Sequence, residues 1–288
     1  MSTSTLSFPE ATSPLDTSPA RNSRLSFPRI VRSEWIKFRT LRSTIWTLAV
    51  TLVLMVGIVT LFSVIGASQS SGMNGTDDGG GSIAVFSIAV SLAQLPVIVL
   101  GVLVITGEYS TGMIRSTLAA VPRRLPALLA KGVVLAVSIF VVSAVAVAIS
   151  LAVMQIILGG KGLAPDLGDA QTVRVLVGTP LYLTAIAVFS FAIGALLRHS
   201  AGALAAVMGL LLVVENLFLI PWGPLQAISP FLPGTAGSRL LVPQAQIDML
   251  SQGATTTVLG PWQGFAVLLV WVAVLLSVAG MLLRRRDA

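Results

Sequence analysis

Long apolar runs alternate with short polar intervals along most of the chain, and the runs share a length. They predict spans at Thr44–Gly66, Ile83–Thr106, Lys131–Leu158, Thr172–Leu197, Ala201–Ile220 and Gly264–Leu283. Crossing the hydrocarbon core of a bilayer takes about 20 helical residues, and all six runs reach that length. The predicted fold class is an all-α polytopic membrane protein with six transmembrane helices, occupying residues 44–283.

The intervals carry their own signals. Residues 1–28 are rich in Ser, Thr and Pro without an apolar run, and are expected to form a disordered tail. They lack the apolar core of a secretory signal, so the first run is expected to stay as an anchor. ASQSSGMNGTDDGGGS, after the first run, reads as a flexible loop. Pro221–Gln263 is fairly apolar but broken by Pro221, Pro224, Pro230, Pro233, Pro243 and Pro261. Its pieces are too short to cross, which predicts re-entrant or interfacial helices between spans five and six.

RIVRSEWIKFRTLR, residues 29–42, predicts a different kind of helix. At 100° per residue Ile30, Val31, Trp35, Phe38 and Leu41 share one side, while Arg32, Ser33, Arg39 and Thr40 fall elsewhere. Such an amphipathic helix suits the bilayer interface, with its basic residues near anionic lipid. Glu34 sits inside the apolar arc, where a lone carboxylate is costly, and Lys37 at i+3 is a candidate partner. Glu34, Trp35, Lys37, Phe38 and Arg39 are therefore candidates either for surface anchoring or for specific docking.

Charge sets the expected orientation. Of the eighteen Lys and Arg, all but Lys161, Arg174 and Arg239 fall in the N-terminal segment, the second and fourth intervals, at the start of the third span (Lys131), or in residues 284–288. Basic residues accumulate on the cytoplasmic side, so both termini are expected there. The formal net charge of +7 is thus accounted for by topology, and nucleic acid is not an expected partner. At 55% hydrophobic and 10% charged, the composition lies outside the soluble range. The absence of cysteine removes thiol and disulfide chemistry, and His199 alone cannot build a histidine metal cluster. No phosphate-binding Gly-x4-Gly-Lys-Ser/Thr, Gly-x-Ser-x-Gly or His-Glu-x-x-His pattern occurs, so the chain is not expected to be an enzyme by itself.

GEYSTGMIRSTLAAVPRR, Gly107 to Arg124, is the polar interval between spans two and three. Thr111–Ala120 reads as a short helix, with Ser110 or Thr111 as its cap and Pro122 ending it. Met113, Ile114, Thr117 and Leu118 recur at helical spacing and could enter a groove on another protein. An ordinary polar turn carrying orienting arginines is the plainer reading.

Polar residues inside spans are candidate pathway residues. Glu215, beside Asn216 near one end of the fifth span, either faces a substrate pathway or is satisfied by protonation, water or a hydrogen bond from Trp222. Gln94 lies two residues before Pro96, which deprives the Leu92 carbonyl of its helical donor. The pair is read as a hinge facing a cavity or as glue between helices. His199 reads as a solvated turn residue. Gly194, Ala195, Gly202, Ala205, Ala206 and Gly209 predict close packing of spans four and five.

SEWIKFRTLRST before the first span, GEYSTGMIRSTLAAVPRR after the second and SPFLPGTAGSRL after the fifth together resemble an ABC-2-type ABC transporter permease of the actinobacterial branch. The resemblance runs from Arg32 to the C-terminus. It implies the transmembrane subunit of an exporter of drugs, antibiotics, lipids or peptides in a bacterial plasma (inner) membrane. It also implies a second permease subunit, a homodimer being expected, and a separate ABC ATPase that binds ATP and Mg, with no cofactor on this chain. The coupling helix to that ATPase would comprise Thr111, Gly112, Met113, Ile114, Arg115, Thr117 and Leu118, with Glu108 before it. The alternatives are an ion-coupled secondary transporter and a non-transporting scaffold or sensor subunit.

Overall fold

The computed structural model describes residues 26–69, 80–112, 124–218, 220, 223–253 and 257–285. Among these there is no strand, and six helices are long and apolar enough to cross a membrane. The chain is an all-α polytopic membrane protein.

An amphipathic helix, α1 (Phe27–Thr40), comes first. Pro28 is tolerated because the first turn has no intrahelical N–H partner to lose. Leu41 then turns extended at φ −78°, ψ 114°, and the chain enters α2 (Arg42–Gln69) at once. The amphipathic helix therefore ends two residues before the expected Arg42, because Leu41 is the hinge between the two helices. Its buried residues are Ile30, Glu34 and Phe38, whereas Trp35 and Leu41 are exposed. The face that packs is thus rotated from the purely apolar arc, and it includes the carboxylate.

The remaining spans are α3 (Gly80–Ser110), α4 (Arg124–Leu158), α5 (Ala170–Leu197), α6 (Ser200–Leu217) and α10 (Pro261–Arg285). Helices α3 and α4 extend beyond the expected ends at Thr106 and Lys131, since a helix does not stop where its hydrophobicity does. Between α6 and α10 lie three short helices, α7 (Gly223–Ile228), α8 (Pro233–Ser238) and α9 (Gln244–Gly253). None is long enough to span, as the prolines of this segment predict.

Helices α3 and α5 form the centre, with Phe86, Ile98, Leu183, Ile186, Phe189 and Phe191 fully buried. A Cβ built on Gly101 of α3 would lie 2.5 Å from the Ala187 carbonyl oxygen of α5, so only glycine permits this backbone approach. Gly194 packs the same pair from the other side, against Ile105. The nearest atoms to it are those of Ile105, Val102 and Thr106 on α3, rather than of the expected fifth span. Helix α2 packs on α3 and α4, α4 on α5, and α10 on α5 and α8, while α6 lies against α3 and α5. Ala203, Val207 and Leu211 are the buried side of α6, which leaves Gly202, Ala205 and Ala206 exposed. Half of the expected small-residue stripe thus faces outward, while Gly194 and Ala195 are buried.

Candidate functional site

Two polar centres stand at opposite ends of the bundle. The first joins α1 to the helix ends that flank the 111–123 segment. Lys131, near the start of α4, places its Nζ 2.6 Å from Glu34 Oε2 of α1 and 2.8 Å from Glu108 Oε1 near the end of α3. Lys37 reaches the same two carboxylates, at 3.3 Å to Glu34 Oε1 and 3.4 Å to Glu108 Oε1. Glu34, Glu108 and Lys131 are all at least nine-tenths buried. Removing such charges from water costs roughly what their attraction returns, so the arrangement chiefly fixes how α1 docks. Partial burial pulls the Lys37 ammonium down, and the charges of Glu34 and Glu108 more than reverse this, leaving it above its usual 10.5.

The expected Glu34–Lys37 pair is present but is the longer of Glu34's two contacts. Lys131, counted in the sequence only as an orienting charge, is the residue that closes the cluster. The missed signal is its position one helix away from Glu108, at matching depth. Arg39 is exposed and takes no part.

Both lysines converge on Glu108 Oε1. Its Oε2 is buried and has no hydrogen-bond donor among the described residues. Glu108 also lines a cavity of about 540 Å³ between α1, α2, α3 and α4. Beyond it, the Ser110 and Thr111 hydroxyls both donate to the Gly107 carbonyl, at 3.0 and 2.8 Å, and Gly112 adopts φ 70°. These residues therefore close α3, and Thr111 and Gly112 are exposed. Met113, Ile114, Arg115, Thr117 and Leu118 lie outside the described residues. Nearby, the Arg198 guanidinium sits 5.2 Å over the Tyr109 ring, joining the ends of α5 and α3. His199 Nδ1 accepts the Gly202 N–H at 3.1 Å and caps α6, a role more specific than a solvated turn residue.

At the other end, Glu215 is buried and its carboxylate receives α8. Oε1 accepts the Gly234 N–H at 2.7 Å, while Oε2 accepts from the Thr235 N–H and, at 2.8 Å, from its hydroxyl. A helix begins with unpartnered N–H groups and a partial positive charge, which a carboxylate from another helix satisfies here. The local backbone makes this possible. Between Gly209 and Val214 the helix widens into π-type turns. Each residue advances less around the axis there than in an α-helix, which offsets the drift of a four-residue spacing, and Glu215 is buried like Ala203, Val207 and Leu211 before it. Glu215 is thus a cap for a re-entrant helix rather than an open pathway group, and its donors are Gly234 and Thr235; Trp222 lies outside the described residues. Asn216 is exposed and donates to the Leu212 carbonyl at 2.7 Å within the widened stretch.

Further contacts tie the segment around α8 to the spans. Trp271 Nε1 donates to the Phe231 carbonyl at 3.0 Å, Ser87 to Leu241 at 3.0 Å, and Arg174 to Val242 at 2.7 Å. Gln94 Oε1 accepts from Tyr182 at 3.0 Å, so this glutamine joins α3 to α5 instead of serving the Leu92 carbonyl. Pro96 lies within α3, which continues past it. Among the described residues no group of three or more His, Asp and Glu could hold a metal ion. Comparison of the sequence with protein-family models and with curated proteins gives no match to either.

Proposed function

We propose that the chain is the transmembrane permease subunit of an ATP-driven exporter, worked by a separate nucleotide-binding subunit that carries the ATP and Mg. One observation carries the reading. The buried cluster of Glu34, Lys37, Glu108 and Lys131 locks the amphipathic helix to both helix ends that bracket residues 111–123. A force applied to that segment from below would move α1, α3 and α4 together, which is what coupling to an external ATPase requires. In this reading the basic end faces the cytoplasm of a bacterial cell, and both termini lie there. Two copies pair through the exposed small residues of α6, Gly202, Ala205 and Ala206, which permit close helix contact. Glu215 is engaged as a cap, which weighs against an ion-coupled carrier built on an intramembrane acid.

The test is reconstitution of the chain with the ATPase that co-purifies from its native membrane. Substrate-stimulated ATP turnover and efflux are expected, with both lost in Arg115→Glu. Efflux by the chain alone, driven by a proton gradient, would overturn the proposal in favour of a secondary transporter.

A further inference from the structure

We infer that the cavity between α1, α2, α3 and α4 seats the phosphate of a membrane phospholipid against the start of α2. This goes beyond the export reading and does not depend on it. The chain turns from α1 into α2 at Leu41, which stands where a helix usually has a side-chain acceptor and offers none. Of the four N–H groups that open α2, those of Thr44 and Ile45 turn back to the Leu41 carbonyl, at 3.1 and 3.4 Å. Those of Arg42 and Ser43 have no backbone acceptor among the described residues. Leu41, Ser43 and Thr44 all line the cavity, so the start of the helix opens on it.

The hydroxyls on the wall carry a second observation. Thr40, Thr47 and Thr111 line the cavity too, but each donates to a backbone carbonyl three or four residues back, at 2.9, 2.8 and 2.8 Å. Thr44 does not. It is 2% exposed, and its hydroxyl has no partner among the described residues yet stays open to water, unlike Glu108 Oε2. A nearly buried hydroxyl and two helix-opening N–H groups thus stand within three residues as donors without acceptors. An anionic oxygen satisfies such donors best, and the α2 dipole favours it there. Glu34, Lys37, Glu108 and Lys131 also line the cavity, two of each sign and paired with one another, so an anion at α2 meets no net opposing charge. Leu100, Leu103 and Val104 form an apolar α3 wall for the glycerol and the first methylenes of the acyl chains. The volume of about 540 Å³ admits that part of a phospholipid.

The chain has no cysteine, so Leu103→Cys, on a wall residue that is 41% exposed, gives a single thiol at the site. The experiment uses the full chain with this substitution, delipidated in detergent without nucleotide, and follows its labelling by uncharged N-ethylmaleimide. The probes are dioleoyl phosphatidylglycerol, dioleoylglycerol, which lacks the phosphate, and inorganic phosphate, which lacks the chains. Phosphatidylglycerol is expected to protect the thiol at a concentration about tenfold or more below dioleoylglycerol. Adding Thr44→Val, which keeps the shape and removes the hydroxyl, should erase most of that preference. The comparison of the two lipids decides the matter alone if the Thr44→Val protein fails to fold. Equal protection by the two lipids, protection by neither, or a preference unchanged in Thr44→Val would overturn the inference. Displacement of the phospholipid by an equal concentration of inorganic phosphate would overturn it in favour of a free-phosphate site. Because no ATPase is present, none of these outcomes bears on the coupling proposal.

Discussion

The carboxylate of Glu215 and the backbone of Gly234 are made for each other: Oε1 accepts the Gly234 N–H at 2.7 Å, and a Cβ at that position would stand 2.6 Å from Oε2. A charged side chain in a span is thereby converted from a liability into the start of a helix. Replacing Glu215 with Ala strands the first N–H groups of α8 and is expected to cost about 2–3 kcal/mol, from charge-assisted hydrogen bonds lost. Thermal unfolding in detergent measures this. Gly234→Ala should destabilise in the same direction by displacing the carboxylate. A Glu215→Ala protein as stable as wild type would remove the capping role.

Lys131 holds two buried carboxylates together. Lys131→Met leaves Glu34 and Glu108 facing each other with only Lys37, and is expected to destabilise by about 3–5 kcal/mol. The double variant Lys131→Met/Glu108→Gln should recover part of that loss, because it removes a stranded charge. Denaturant midpoints of the two variants supply the comparison, and equal midpoints would mean that the cluster is not coupled.

Stability should fall on both sides of neutrality, for two different groups. Lys37 titrates above its usual 10.5 when folded, because Glu34 and Glu108 outweigh the effect of its burial. Its contribution is complete below that pH and is lost as pH rises through the folded value. Asp169 caps α5 by accepting the Thr172 and Gln171 N–H groups, which hold its carboxyl below 3.8. Its contribution is present above that pH and is lost as pH falls through the folded value. Unfolding temperatures against pH should lose the alkaline fall in Lys37→Met and the acid fall in Asp169→Ala.

Gly101 sets the spacing of the central helices. Gly101→Val drives a branched side chain into the Ala187 carbonyl and Ser190 of α5, and is expected to cost about 1–3 kcal/mol. Gly57, inside α2 with nothing within 4 Å of its Cβ position, is the control, and Gly57→Ala should not lower the unfolding temperature.

The six spans, the amphipathic entry helix and the broken segment before the last span are legible in the residue pattern alone. Each follows from run length, period or proline, and those act locally. The expected coupling role of residues 111–118 rests on a resemblance, and residues 113–123 lie outside the described residues. What the tertiary structure decided is which polar side chains meet. Glu34 finds Lys131 across 97 residues and Glu215 finds Gly234 across 19. Such pairings depend on helix rotation, depth and a π-widened turn, none of which leaves a periodic trace. The same holds for the small residues of α5 and α6: composition announces close packing, but only the folded bundle assigns Gly194 to α3 and turns Ala205 and Ala206 outward.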